Sequence, residues 1–220
     1  MKTKRSKIWK GECNMTYAHK AVTVKESSRG YQPLEVDSLH LANGTIFVTG
    51  EINDELVNNV ISQILYLKRE MIPVKMIINT PGGSVTAGLA LYDVIREYRS
   101  DVTMFCMGIA ASMGAVLLAA GGKGKRYILP HSKVMIHEPL LSGGISGSTS
   151  TIRKTAEDMI ETKRIINGIL AECTGKTIKQ IDKATSFDNF MSAQEAIDFG
   201  ICDKIITSLE LAQLTAKYKI

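Results

Sequence analysis

Three positions in this 220-residue chain carry residue types that could perform acyl transfer. Ser112 stands in Gly108-Ile109-Ala110-Ala111-Ser112-Met113-Gly114-Ala115, where small neighbours would let a substrate reach its hydroxyl. A helix starting there would leave free N–H groups for a developing oxyanion, and that of Met113 is the natural donor. Gly83 in Thr80-Pro81-Gly82-Gly83 could bring a second N–H close, because no Cβ stands in the way. Singly, each has a plainer explanation. A small serine helps helices pack, and Pro-Gly-Gly makes a tight turn in any case.

A serine nucleophile needs a base, and the chain has four histidines. His19 lies in a basic segment and His40 precedes the first regular strand. His131 and His137 are six residues apart, roughly 20 Å in an extended chain, so they would not serve one serine together. His137 ends the apolar run Val134-Met135-Ile136 and faces a glycine-bearing loop, which makes it the preferred base. A carboxylate behind it would fix its tautomer. Asp158, Asp182, Asp188, Asp198 and Asp203 are all available, and spacing does not choose among them.

The elements that would position these groups alternate. Thr45 to Thr49 reads as a buried strand closed by Gly50, and Asp54 to Glu70 as a helix capped by Asn53 or Asp54. Val74 to Asn79 is a second strand, and Ser84 to Tyr98 a second helix. Val102 to Met107 is a third strand, followed by a helix of small residues from Ala110 to Ala120. This order predicts an α/β fold with a mostly parallel sheet. Ligands gather outside the carboxyl ends of such strands, and Gly82-Gly83, Ser112 and His137 all fall there. Residues 139–148 read as a loop and Thr151 to Glu172 as one long helix. Thr177-x-x-Gln180 and Ser192-x-x-Glu195 are capping boxes that open two shorter helices.

Composition narrows the class. Apolar residues make up 45% and charged residues 22%, as in a globular domain. The net charge of +5 sits in residues 1–20, where six basic side chains face Glu12 alone. The remaining 200 residues hold 21 basic and 21 acidic side chains, so no footprint for nucleic acid is expected. Residues 1–30 read as a polar extension ending in a loop at Glu26-Ser27-Ser28-Arg29-Gly30. The uncharged run from Val102 to Gly122 is long enough for a membrane span, but its glycines and strand character favour a buried strand and helix. The first 20 residues lack the apolar stretch of a secretory signal. Cys13, Cys106, Cys173 and Cys202 form no C-x-x-C pair, so reduced thiols in a cytoplasmic protein are expected, with no metal site.

Several motifs in order resemble the Clp protease proteolytic subunit (ClpP) family, from about Ser28 to Ile205. They are Ile78-Asn79-Thr80-Pro81-Gly82-Gly83, Cys106-Met107-Gly108 through Ala115, Gly124-Lys125-Arg126-Tyr127, Met135-Ile136-His137-Glu138-Pro139 and Asp188-Asn189-Phe190-Met191-Ser192-Ala193. The resemblance implies a ClpP/crotonase-like fold of stacked ββα units with a protruding long helix. It places the nucleophile on Ser112, the base on His137 and the aspartate on Asp188, with oxyanion donors at Gly83 and Met113. It assigns substrate binding to Gly82, Pro139 and Leu140. It further implies residues 1–30 as N-terminal extension and axial segment, 31–207 as the protease domain and 208–220 as a tail. Stacked heptamers would enclose the sites, and a Clp-type AAA+ unfoldase would feed them unfolded chains. The subunit itself would need no cofactor, in keeping with the lack of a P-loop pattern.

The chain departs from the family at Lys75 and Ile77, where aromatic residues are usual in the docking surface, although Leu65, Tyr66 and Tyr127 keep part of it. Phe187 and Ala184 replace charged residues used between rings, and the loop after His137 is about two residues longer than usual. These changes bear on the choice of unfoldase and on ring pairing, with rings mixed with a second ClpP-like subunit as the alternative. Two rival functions are a silent structural subunit and a crotonase-type acyl-CoA enzyme. The latter shares the fold and the backbone oxyanion hole but has no need of a serine–histidine–aspartate triad.

Overall fold

The computed structural model describes residues 22–27, 30–141 and 146–215. The basic segment 1–20, with Cys13 and His19, lies outside them, as do residues 142–145 of the loop after His137. The described residues fall into two compact units divided between Leu39 and His40.

In the first unit, β1 (Val22–Ser27) and β2 (Gly30–Glu35) pair antiparallel. Of the loop expected at residues 26–30, Glu26, Ser27 and Gly30 therefore lie in strands. Six residues with two valines are too short to display a strand period. A short helix follows, α1 (Val36–Ala42), which crosses the boundary and buries none of its residues.

The second unit carries the sheet. Its elements are β3 (Thr45–Thr49), α2 (Asp54–Arg69), β4 (Val74–Thr80), α3 (Val85–Glu97), β5 (Val102–Ala111), α4 (Met113–Ala119), β6 (Arg126–Ile128) and β7 (Lys133–Ile136). After them come α5 (Thr149–Thr174), α6 (Ile178–Thr185), β8 (Asn189–Met191), α7 (Ala193–Phe199), β9 (Lys204–Ile205) and α8 (Ser208–Thr215). Strands run parallel in the order β3-β4-β5-β6-β9, while β7 pairs parallel with β5 and antiparallel with β8.

Local chemistry explains the helices that frame the site. α2 buries Val57, Val60, Ile64 and Leu67 at helical spacing, and the Asn53 side chain accepts from the Leu56 N–H at its start. α3 is capped by Ser84. Both capping boxes form, at Thr177/Gln180 and Ser192/Glu195. On α5 the buried residues begin only at Ile166, so its first half stands clear of the core.

The uncharged run from Val102 is strand and helix, with the strand longer than its pattern indicated. β5 continues to Ala111 and α4 begins at Met113 rather than Ala110. Among the described residues no helix is long and apolar enough to cross a membrane.

β5 reaches that length by bulging. Ile78 pairs with Cys106, but Thr80 pairs with Ala110, so two extra residues sit in β5 between them. Gly108 takes φ +95° there, and a Cβ on it would meet Asn79 Oδ1 at 2.6 Å. That same oxygen accepts from the Ile109 N–H at 3.2 Å, and Ser132 Oγ accepts from the Gly108 N–H at 2.9 Å. Before the bulge β5 pairs with β6, and beyond it with β7. The bulge thereby brings β7, and the histidine that follows it, beside the end of β5.

The main core lies on one face of the sheet, with Met76, Ile78, Met104 and Cys106 fully buried. Alternate residues Ile77 and Phe105 join Ile206 in a smaller cluster, where Phe105 stacks on Tyr127 at 5.3 Å. Lys75 follows the same alternation. It is buried, with Nζ donating to the Asn43 carbonyl at 2.8 Å.

Candidate active site

Ser112 follows the long strand and holds the position before the first residue of α4, with φ 53° and ψ −121°. This left-handed conformation is unusual for a residue bearing a Cβ and lifts the side chain out of the turn. The Ser112 N–H donates to the Met135 carbonyl at 2.8 Å, which ties the turn to β7. Two residues on, His137 presents its ring to the serine: Nε2 lies 2.9 Å from Ser112 Oγ.

The other ring nitrogen, Nδ1, lies 3.0 Å from Asp188 Oδ1. Sheet register accounts for this contact. Ile136 pairs with Asn189 across the antiparallel β7–β8 ladder, so the next residues outward, His137 and Asp188, stand opposite each other. A carboxylate can only accept, so Nδ1 carries the proton and Nε2 is free to accept from the serine hydroxyl. The other four aspartates are engaged elsewhere or remote. Asp182 pairs with Lys163, Asp203 with Arg126, and Asp198 accepts from Gln194, while Asp158 is exposed on α5. His131 is exposed at the opposite end of β7 from His137.

The turn after β4 approaches the serine from the other side. Gly82 is buried against it: a Cβ there would fall 2.7 Å from Ser112 Cβ. The Ile52 N–H donates to the Gly82 carbonyl at 2.8 Å, and the Ile52 carbonyl accepts from the Ser84 N–H at 2.7 Å. The Gly82 carbonyl and the Gly83 N–H point oppositely across one trans peptide, so fixing the former fixes the latter. Among the described residues the Gly83 and Met113 N–H groups donate to no protein acceptor. Free donors beside a serine hydroxyl can receive a negatively charged oxygen.

A small apolar pocket opens at Ser112 and His137, lined by Val85, Met113, Val116, Ile136 and Pro139 among others. A second cavity, of about 480 Å³, is lined by His137, Leu140, Phe187 and Asp188 among others. Pro139 and Leu140, paired in the expectation, thus face different cavities. Phe187 is 84% exposed and Leu140 70%.

Two supports have roles that the sequence pattern does not reveal, although Arg126 stands in one of the family motifs. Lys163 on α5 reaches Glu138 at 2.9 Å and Asp182 at 3.0 Å, bridging the long helix to the segment after His137 and to α6. The Glu138 N–H also donates to the Thr185 carbonyl at 2.8 Å. Arg126, only 4% exposed at its side chain, donates to Asp203 and to the carbonyls of Cys173 and Gly200. Burial pushes the Asp203 carboxyl up, but hydrogen bonds from Arg126 outweigh this and hold it below the usual carboxylate range.

A parallel α/β sheet with a serine, histidine and aspartate joined at its carboxyl end is the arrangement of a serine peptidase. Comparison with known proteins gives the family. The Clp protease family model matches residues 28–209. The ATP-dependent Clp protease proteolytic subunits 2 of Chlamydia trachomatis serovar D and serovar A are each 45% identical over 187 residues, covering 84% of this chain and 91% of theirs. The subunit 2 of Chlamydia muridarum is 44% identical over the same shares. The chain belongs to the Clp protease family and is a peptidase.

Proposed function

We propose that the chain is the proteolytic subunit of an ATP-dependent Clp system, a serine endopeptidase that acts through an acyl-enzyme on Ser112. The observation that carries this reading is the continuous path from Ser112 Oγ to His137 Nε2 and from His137 Nδ1 to Asp188. As Ser112 Oγ bonds to the peptide carbonyl carbon, His137 Nε2 takes the hydroxyl proton. Asp188 holds the ring and stabilises the imidazolium. The oxyanion accepts from the Gly83 and Met113 N–H groups, the C–N bond breaks, and the departing amine takes the proton from Nε2. Water then attacks the acyl-enzyme by the same path, releasing the acid and restoring Ser112. Gly82, Pro139 and Leu140 flank the bound polypeptide, and the apolar pocket takes the side chain before the scissile bond.

Residues 31–207 form the protease domain, with 1–30 as an axial extension and 208–220 as a tail. Two stacked heptamers of a cytoplasmic protein would enclose the sites, so that access rather than cleft shape selects unfolded substrates. That the relatives are named subunits of an ATP-dependent protease supports an oligomeric assembly and an ATP-driven partner, taken here as a Clp-type AAA+ unfoldase. The exposed first half of α5 supplies a surface for joining rings.

The test is degradation of an unstructured polypeptide by the purified protein, alone and with a Clp unfoldase and ATP, together with its mass in solution. Short peptides released by a tetradecamer, and lost in Ser112→Ala, are expected. An assembled ring that leaves the polypeptide and short peptides intact under every combination would favour the silent subunit instead.

A further inference from the structure

Thr80 is the last residue of β4, fully buried, and its side chain touches both halves of the proposed oxyanion site. Its hydroxyl donates to the Gly50 carbonyl at 2.5 Å and accepts from the Gly82 N–H at 3.1 Å. One hydroxyl can do both, since it has one proton to give and lone pairs to receive. The Gly82 backbone, held in this way, leads directly into the Gly83 N–H. The methyl group of Thr80 faces the other half. A Cβ on Gly114 would fall 2.4 Å from Thr80 Cγ2, so the start of α4 packs against that methyl one residue from the Met113 N–H.

We infer that Thr80 is a positioning residue for the oxyanion hole. Its hydroxyl sets the orientation of the Gly82–Gly83 turn, and its methyl adds a lesser packing contact with the first residues of α4. The inference rests on the reading of Gly83 and Met113 as oxyanion donors. Thr80 itself does not meet substrate. Its effect falls on the tetrahedral state, whose oxygen needs both donors at once, more than on substrate binding.

The two halves of the side chain can be removed separately. Thr80→Val keeps the methyl and puts a second one in place of the hydroxyl, and Thr80→Ser keeps the hydroxyl and loses the methyl. For peptide hydrolysis, Thr80→Val is expected to lower kcat roughly ten- to a hundredfold with KM within about twofold, as a misplaced oxyanion donor would. Its rate of fluorophosphonate labelling should fall in parallel, because the phosphoryl oxygen occupies the same hole. Thr80→Ser should recover most of kcat. Thermal unfolding of each variant reports folding separately. A Thr80→Val protein that folds and hydrolyses at the natural rate would overturn the inference while Ser112-dependent activity stands. So would a Thr80→Ser protein as slow as Thr80→Val. A natural chain that folds but neither labels at Ser112 nor hydrolyses peptide would overturn the parent reading, and this inference with it.

Discussion

Gly82 and Ser112 are in backbone-to-side-chain contact that leaves no room for a methyl group. A Cβ at Gly82 would lie 2.7 Å from Ser112 Cβ and 2.8 Å from the Ala111 carbonyl oxygen, at a φ of +99° that disfavours any L side chain. The turn after β4 and the turn after β5 are thus mutually fitted. Gly82→Ala would have to displace one of them. It should lower peptide hydrolysis on the order of a hundredfold and destabilise by roughly 1–3 kcal/mol. Kinetics and urea unfolding of the variant check both.

Asp188 Oδ1 lies 3.0 Å from His137 Nδ1, so in the proposed mechanism it acts through that ring. Asp188→Asn keeps the shape but offers an N–H where Nδ1 needs an acceptor, and the imidazole turns to the wrong tautomer. Loss of kcat by roughly 10³–10⁴-fold is expected, with thermal stability little changed because the Asp188 side chain is 61% exposed. Steady-state kinetics beside a melting curve distinguishes this from unfolding.

The Arg126–Asp203 pair ties β6 to the start of β9 and to the ends of α5 and α7. Arg126→Met leaves the Cys173 and Gly200 carbonyls without that donor and should cost about 3–5 kcal/mol, a fall in Tm of roughly 10 °C for a domain of this size. The carboxyl of Asp203 is held low in the folded state, so its contribution is complete above the unfolded value of about pH 4. It is lost as pH falls through the lower folded value. The gap in urea midpoint between the natural chain and Asp203→Asn should therefore be wide at neutral pH and close on the acid side.

Cys106, Cys173 and Cys202 are buried free thiols. Burial pushes Cys106 up to about 12 and raises the other two as well. At pH 8 these thiols should resist alkylation in the folded protein and react once denatured, which peptide mass mapping checks.

The sequence makes some of this site plain and hides the rest, for physical reasons. Ser112 and His137 follow apolar runs long enough to read as strands, so the topology rule for parallel sheets finds them. Asp188 follows no such run. It reaches His137 through β8, three residues paired antiparallel to a sheet otherwise parallel, and spacing alone does not separate the five aspartates. The resemblance to the family points to Asp188, and the register explains the contact. β6 carries the buried Arg126 where a pattern search expects an apolar residue, and α8 buries nothing, so neither stands out. The bulge at Gly108 depends on Asn79 and Ser132 from two other segments, a contact that one-dimensional periodicity does not contain.

The most direct measurement is fluorophosphonate labelling of the purified protein with the modified residue mapped by mass spectrometry, beside Ser112→Ala and His137→Ala. A phosphonyl group on Ser112 in the natural chain alone is the predicted result. A folded, assembled chain left unlabelled, or one labelled equally in all three proteins, would contradict an activated nucleophile at Ser112.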